Sequence, residues 1–125
     1  MADTIDFSGV WHSTKHFFHV FEKKTVPDKH DMQFHQTGNR LVAQSIPNKE
    51  GSYMLLSLTL DERTLTGTYH EQSSSNGPFK GKGYYGALQL LIDEDGKTIR
   101  GKWVGLDTHM NMQTGDWEIV RTNKK

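Results

Sequence analysis

Gly83-Tyr84-Tyr85-Gly86-Ala87-Leu88-Gln89-Leu90-Leu91-Ile92-Asp93-Glu94-Asp95-Gly96-Lys97-Thr98-Ile99-Arg100-Gly101-Lys102-Trp103-Val104-Gly105-Leu106 reads as two strands and the turn between them. Apolar residues alternate with polar ones and no i, i+3, i+4 stripe runs through the segment, which is the period of an extended chain. Asp93-Glu94-Asp95-Gly96 is hairpin chemistry, with a glycine free to take positive φ at its end. Each flanking strand carries glycine, one residue, then an aromatic: Gly83-Tyr84-Tyr85 and Gly101-Lys102-Trp103. Residues two apart share a face of a strand. Glycine lets the strand bend sharply, and the ring can cover the bare backbone.

The same phrase recurs at Gly9-Val10-Trp11, Gly51-Ser52-Tyr53, Gly67-Thr68-Tyr69 and Gly115-Asp116-Trp117. The last five copies start 16, 16, 18 and 14 residues apart, about one strand and one turn per step. Working outward, strands are expected over about residues 9–22, 30–36, 40–46, 52–60, 64–72, 83–92, 98–106 and 115–122. Loops fall at Pro47-Asn48-Lys49-Glu50-Gly51, over residues 73–80 and over residues 107–114. Eight short strands joined by tight turns form a meander, and closure removes the two edges that an open sheet of this size would expose. The expected fold is all-β: one domain over residues 1–125, an eight-stranded antiparallel up-and-down β-barrel.

Composition narrows the function. Lys plus Arg and Asp plus Glu number 15 each, so the formal charge is zero and there is no basic excess for nucleic acid or for an electrostatic membrane contact. With no cysteine, disulfides and thiolate metal sites are excluded. Met1-Ala2-Asp3-Thr4-Ile5-Asp6 has no apolar run and does not read as a secretory signal, so a cytoplasmic protein is expected.

Phe7-Ser8-Gly9-Val10-Trp11, with Gly-x-Trp opening the first strand, resembles the calycins, the β-barrel group of lipocalins, fatty-acid-binding proteins and avidins. The group's other mark is an arginine on the last strand packed across that tryptophan. Arg121, in Trp117-Glu118-Ile119-Val120-Arg121, stands in that position, and the resemblance implies a structural latch of Trp11 and Arg121. Over about residues 38–120 a closer likeness is carried by Leu65-Thr66-Gly67-Thr68-Tyr69-His70-Glu71, by the stretches from Gly83 and Gly101 quoted above, and by Gly115-Asp116-Trp117-Glu118. These look like a bacterial calycin-like domain found C-terminal to helix-turn-helix regulators. That likeness implies a ligand-sensing or interaction module. The chain departs from the arrangement in lacking a DNA-binding half, and residues 16–29 look like an insertion relative to the pattern.

A barrel interior that binds a ligand needs a few polar groups among apolar ones. With Trp11 inward, Ser13, Lys15 and Phe17 share its face; on the fourth strand the choice lies between Tyr53, Leu55, Ser57 and Met54, Leu56, Leu58. The candidate ligand pocket is Ser13, Phe17, Tyr53, Tyr69, Glu71, Tyr85, Gln89 and Trp103, with Glu71 and Gln89 singled out because inward polar groups are costly unless paired. Seven histidines are scattered without a diagnostic spacing, so neither metal nor cofactor is expected. Met110-Asn111-Met112 and the 73–80 loop are candidates to cover a barrel opening.

The expected function is a small-molecule-binding module, a sensor or carrier, with a partly apolar or aromatic ligand sandwiched by rings. The first alternative is a filled barrel that pairs with another protein or with itself as a homo-oligomer. The second is a small enzyme, which the sequence disfavours: there is no Gly-x-Ser-x-Gly elbow, no phosphate loop and no ordered Ser/His/Asp set.

Overall fold

The computed structural model describes residues 6–47, 51–74, 77, 81–107 and 109–122. Its eight strands are β1 Gly9–His19, β2 Lys24–Thr37, β3 Arg40–Ser45, β4 Tyr53–Asp61, β5 Thr64–Gln72, β6 Gly83–Ile92, β7 Thr98–Leu106 and β8 Met112–Arg121. Each strand pairs antiparallel with the next, and β1 pairs with β8 to close the barrel. The fold is therefore the expected all-β up-and-down barrel. No described helix is long and apolar enough to cross a membrane.

Local chemistry sets the turns. Gly96 takes φ 69° in the β6–β7 hairpin, where its N–H donates to the Asp93 carbonyl and Asp95 Oδ1 accepts from the Lys97 N–H at 2.8 Å. Alternation then sets the core. Trp11, Met32, Phe34, Leu41, Ala43, Met54, Leu56, Leu58, Leu65, Leu88, Leu90, Ile92, Ile99 and Ile119 point inward and are buried. At one end Phe7 folds under the barrel beside Trp11, whose indole N–H donates to the Phe7 carbonyl at 2.8 Å. Arg121 lies 5.1 Å from the Trp11 ring and donates to the Asp6 and Ser8 carbonyls at 2.7 and 2.8 Å. That end is sealed by rings and by a cation that ties the first strand to the last.

The segment over residues 16–29, expected as an insertion, is instead the far half of a continuous β1–β2 hairpin: His16 opposes Pro27, Phe17 opposes Val26 and His19 opposes Lys24. The ladder from β1 to β8 ends at Lys15–Trp117, and that from β2 to β3 begins at Met32–Ser45. Beyond these points the hairpin runs without ladder pairing to its barrel neighbours. Pro27 is tolerated there because a proline can occupy an edge position where no ladder donor is needed. The last strand also starts earlier than expected, at Met112, because Asp107 Oδ1 closes a short turn by accepting from the His109 and Asn111 N–H groups at 2.9 Å each.

Inward glycines make the barrel narrow enough for its rings. A Cβ at Gly86 would collide with the Tyr69 ring and the Val104 carbonyl, one at Gly105 with the Tyr69 hydroxyl, and one at Gly115 with the His16 carbonyl and the Trp103 indole. Tyr69 thus lies over β6 and β7, and Trp103 over β8.

Candidate functional site

The end opposite the latch carries the polar interior. On β1 the inward row runs Trp11, Ser13, Lys15, so the strand leads from the apolar seal to an ammonium near the middle of the molecule. Ser13 is buried and accepts from Trp117 Nε1 at 2.8 Å. Lys15, only 5% exposed at its side chain, has its Nζ 4.3 Å from the Tyr69 ring centre, 4.2 Å from Trp103 and 5.7 Å from Trp117. It donates to Glu71 Oε1 at 3.0 Å. The three rings come from the Gly-x-aromatic phrases of β5, β7 and β8. Trp103 is held in place by its own indole N–H, which donates to the His16 carbonyl at 2.9 Å. Burying an ammonium costs several kcal/mol, of order; desolvated ring faces return about 2 kcal/mol or more, and the carboxyl supplies a directional partner.

Beside this cage β2 presents Asp28 and His30. His30 Nε2 stands 3.2 Å from Asp28 Oδ1 and 3.9 Å from Glu71 Oε2. Burial pushes the Glu71 carboxyl up to about 8, with the facing Asp28 carboxyl adding to the rise and Lys15 opposing it. Burial alone would raise Asp28 as well, but its hydrogen bonds with Glu71 and His30 outweigh that and hold it at about 2. Two carboxyls this close in a dry site share one proton, and Glu71 keeps it at neutral pH. The group then carries one carboxylate, Asp28, against one ammonium, Lys15. The neighbouring hydroxyls are held protonated: burial and the Glu71 carboxyl raise Tyr69, and the same causes push Tyr84 up to about 12.

Above the cage a cavity of about 80 Å³ opens toward solvent, lined by Lys15, Phe17, Tyr69, Glu71, Tyr84 and Trp103, with Phe18 and Val20 of the hairpin on one side and Leu106, Asp107 and Gln113 on the other. That is space for two or three waters at ~30 Å³ each, and about half of a dry ~150 Å³ cavity that admits benzene. It suits a very small molecule, or the end of a larger one that remains partly at the mouth.

Of the residues expected in the pocket, Ser13, Tyr69, Glu71 and Trp103 face the interior together, with Phe17 at the mouth. The other three do not join them. Tyr53 is 38% exposed and Tyr85 67% exposed, and Gln89 also faces solvent. Their inward orientation is corrected by register: Met54, Leu56 and Leu58 take the inside of β4, and Leu88, Leu90 and Ile92 take the inside of β6. A shift of one residue reverses every side chain on a strand. Tyr85 instead stacks on His70 outside the barrel, ring centres 4.4 Å apart and planes within 3°, while Tyr84 lines the cavity. Met110 and Met112 are each 69% exposed and do not cover the opening, and most of the 73–80 loop lies outside the described residues.

The sequence reading missed Asp28, His30, Tyr84 and Gln113, and passed over Lys15 although it shares the inward face of β1. A signal existed for Asp28 and His30: they fall in the same alternating phase as Met32 and Phe34. Among the described residues, Asp28, His30 and Glu71 are the group whose donor atoms converge closely enough to hold a metal ion.

Comparison with protein-family models, curated proteins and solved structures finds no match to this chain. The fold and the site define its class: a closed eight-stranded β-barrel, sealed at one end, with a charged and aromatic cavity at the other.

Proposed function

We propose that the protein is a small-molecule-binding barrel of the calycin kind, acting as a sensor or carrier. Its ligand is small and partly apolar, lies against Phe17, Tyr69 and Trp103, and turns a hydrogen-bond acceptor toward Lys15. The observation that supports this most is the cavity itself: a buried ammonium among rings, directly below an opening to solvent. Perturbed ionisable groups beside a concave, mostly apolar space are the usual composition of a binding or catalytic site. Lys15 lines the cavity as a charged donor, which favours an organic ligand with an oxygen acceptor over an organic ammonium.

Calorimetric titration with isobutyrate, benzoate and benzylammonium tests this. Small fragments gain at most about 1.5 kcal/mol per heavy atom and usually far less, so millimolar affinity is expected. The two carboxylates bind at least tenfold tighter than benzylammonium, and Lys15→Met removes the difference. Equal binding of all three, or none at 20 mM (about twenty times the expected Kd), refutes the ligand class.

Self-association is the second reading, supported by the exposed rings Phe18 and Phe21 on the hairpin and by Met110 and Met112 at the same end. Sedimentation equilibrium decides it: a concentration-dependent mass that Phe21→Ser abolishes favours this reading, and a monomer at 100 μM (well above the micromolar affinity of a modest interface) excludes it.

A further inference from the structure

The binding reading uses Lys15 and the rings and leaves Asp28 and His30 without a task. Both lie on β2, two residues apart and therefore on one face. Glu71 reaches them from β5. The donor atoms of the three all lie within 4.8 Å of one another, with 3.2 Å from His30 Nε2 to Asp28 Oδ1 and 3.9 Å from His30 Nε2 to Glu71 Oε2. Ligand atoms held at ~2.0–2.2 Å by one zinc ion stand roughly 3–3.5 Å apart. The two separations from His30 lie at or near this range, and the third is within 4.8 Å.

We propose that Asp28, His30 and Glu71 form a binding site for a first-row divalent metal ion, with zinc as its fitting probe. The set is not merely acidic. An imidazole with two carboxylates is a borderline donor set, suited to zinc, iron or manganese more than to calcium, which takes six to eight oxygens. The side chains are 1% exposed for His30, 13% for Glu71 and 19% for Asp28, so the site is dry enough for firm coordination and is open to entry at its Asp28 side. Lys15 does not block it. The lysine holds Oε1 of Glu71, whereas Oε2 is the oxygen that faces His30. A lysine hydrogen-bonded to the outer oxygen fixes the orientation of a ligating carboxylate. A divalent ion takes the place of the proton that the two facing carboxyls share and is released with it as pH falls, because the ligands must be deprotonated to coordinate. Three protein ligands leave at least one coordination position for water or a small anion.

The test uses the full chain, stripped with a chelator and titrated with zinc chloride at pH 7 without any organic ligand, so its outcome is separate from that of the fragment titration. The expected result is one ion per chain at micromolar Kd or tighter. Asp28→Asn and His30→Gln each weaken binding at least tenfold, while His12→Gln and His70→Gln, outside the barrel, leave it unchanged. Zinc raises the melting temperature of the wild type and not of His30→Gln, whose fold is checked by its circular dichroism spectrum. Cobalt in place of zinc gives a visible absorption band that His30→Gln abolishes. The proposal is overturned if no ion binds at 1 mM (some thousandfold above a micromolar Kd), or if binding survives both Asp28→Asn and His30→Gln.

Discussion

Lys15 shows how one side chain can be placed by many weak causes. Alternation along β1 turns it inward; glycines on β6, β7 and β8 let three rings close around it; Glu71 gives it a hydrogen bond at 3.0 Å. Its removal is felt through Glu71. Lys15 lowers the proton affinity of that carboxyl, so Lys15→Met raises it further. The expected cost is about 3–5 kcal/mol at pH 9, where a charged Glu71 would be left without its partner beside Asp28, and clearly less at pH 5, where Glu71 keeps its proton. Urea unfolding at the two pH values checks this.

Glu71 also sets a pH dependence. Its carboxyl titrates at about 8 in the folded chain against 4.5 ordinarily. Between these values the unfolded chain releases a proton that the folded chain keeps, so stability falls as pH rises toward 8 and levels off above it. The slope is at most about 1.4 kcal/mol per pH unit, one proton's worth. Asp28 acts in the opposite sense but only below its ordinary 3.8, where stability is lost as pH falls toward 2. Unfolding curves of chelator-treated protein from pH 5 to 8 are expected to show the decline, and Glu71→Gln to flatten it.

Strands are where the sequence was most informative and also where it misled. The boundaries of β5, β6 and β7 were readable to the residue because turn chemistry and alternation agreed at both ends of each. Inward and outward faces were read as the structure has them on β5 and β7, where Leu65 and Tyr69, and Ile99 and Trp103, take the inside, but not on β6, although Leu88, Leu90 and Ile92 form an apolar phase there. They were not readable at Tyr84-Tyr85, where two adjacent rings fit either face, and the pairing of glycine with ring put Tyr85 inside by analogy with Trp103. Gly86 carried the missing information: it lies in phase with Leu88, and its missing Cβ is required by the Tyr69 ring. Gly105→Ala tests this construction. Its methyl meets the Tyr69 hydroxyl, and overpacking of this kind costs about 1–3 kcal/mol. Tyr69→Phe removes that hydroxyl, so the double variant is expected to recover part of the loss in a double-mutant cycle. The hairpin over residues 16–29 was illegible for another reason: its pairing partner lies beyond a turn with no glycine signal, and Asp28 went unplaced with it, while His30 stood at the start of the expected second strand.

At the scale of the molecule the two ends divide the work. The Phe7, Trp11 and Arg121 end closes the barrel and binds β1 to β8; the hairpin end carries the ionisable groups and the cavity. Arg121→Ala is expected to lower stability by about 1–2 kcal/mol, from the lost ring contact and two lost carbonyl bonds, while leaving fragment affinity unchanged, since the cavity lies at the far end of the barrel. Nuclear Overhauser contacts between benzoate protons and aromatic protons of the protein, recorded at saturating benzoate, test the central claim most directly. Contacts to Phe17, Tyr69 and Trp103 are the predicted result. Contacts confined to the outer rings Tyr53 and Tyr85, or none at all, would contradict it.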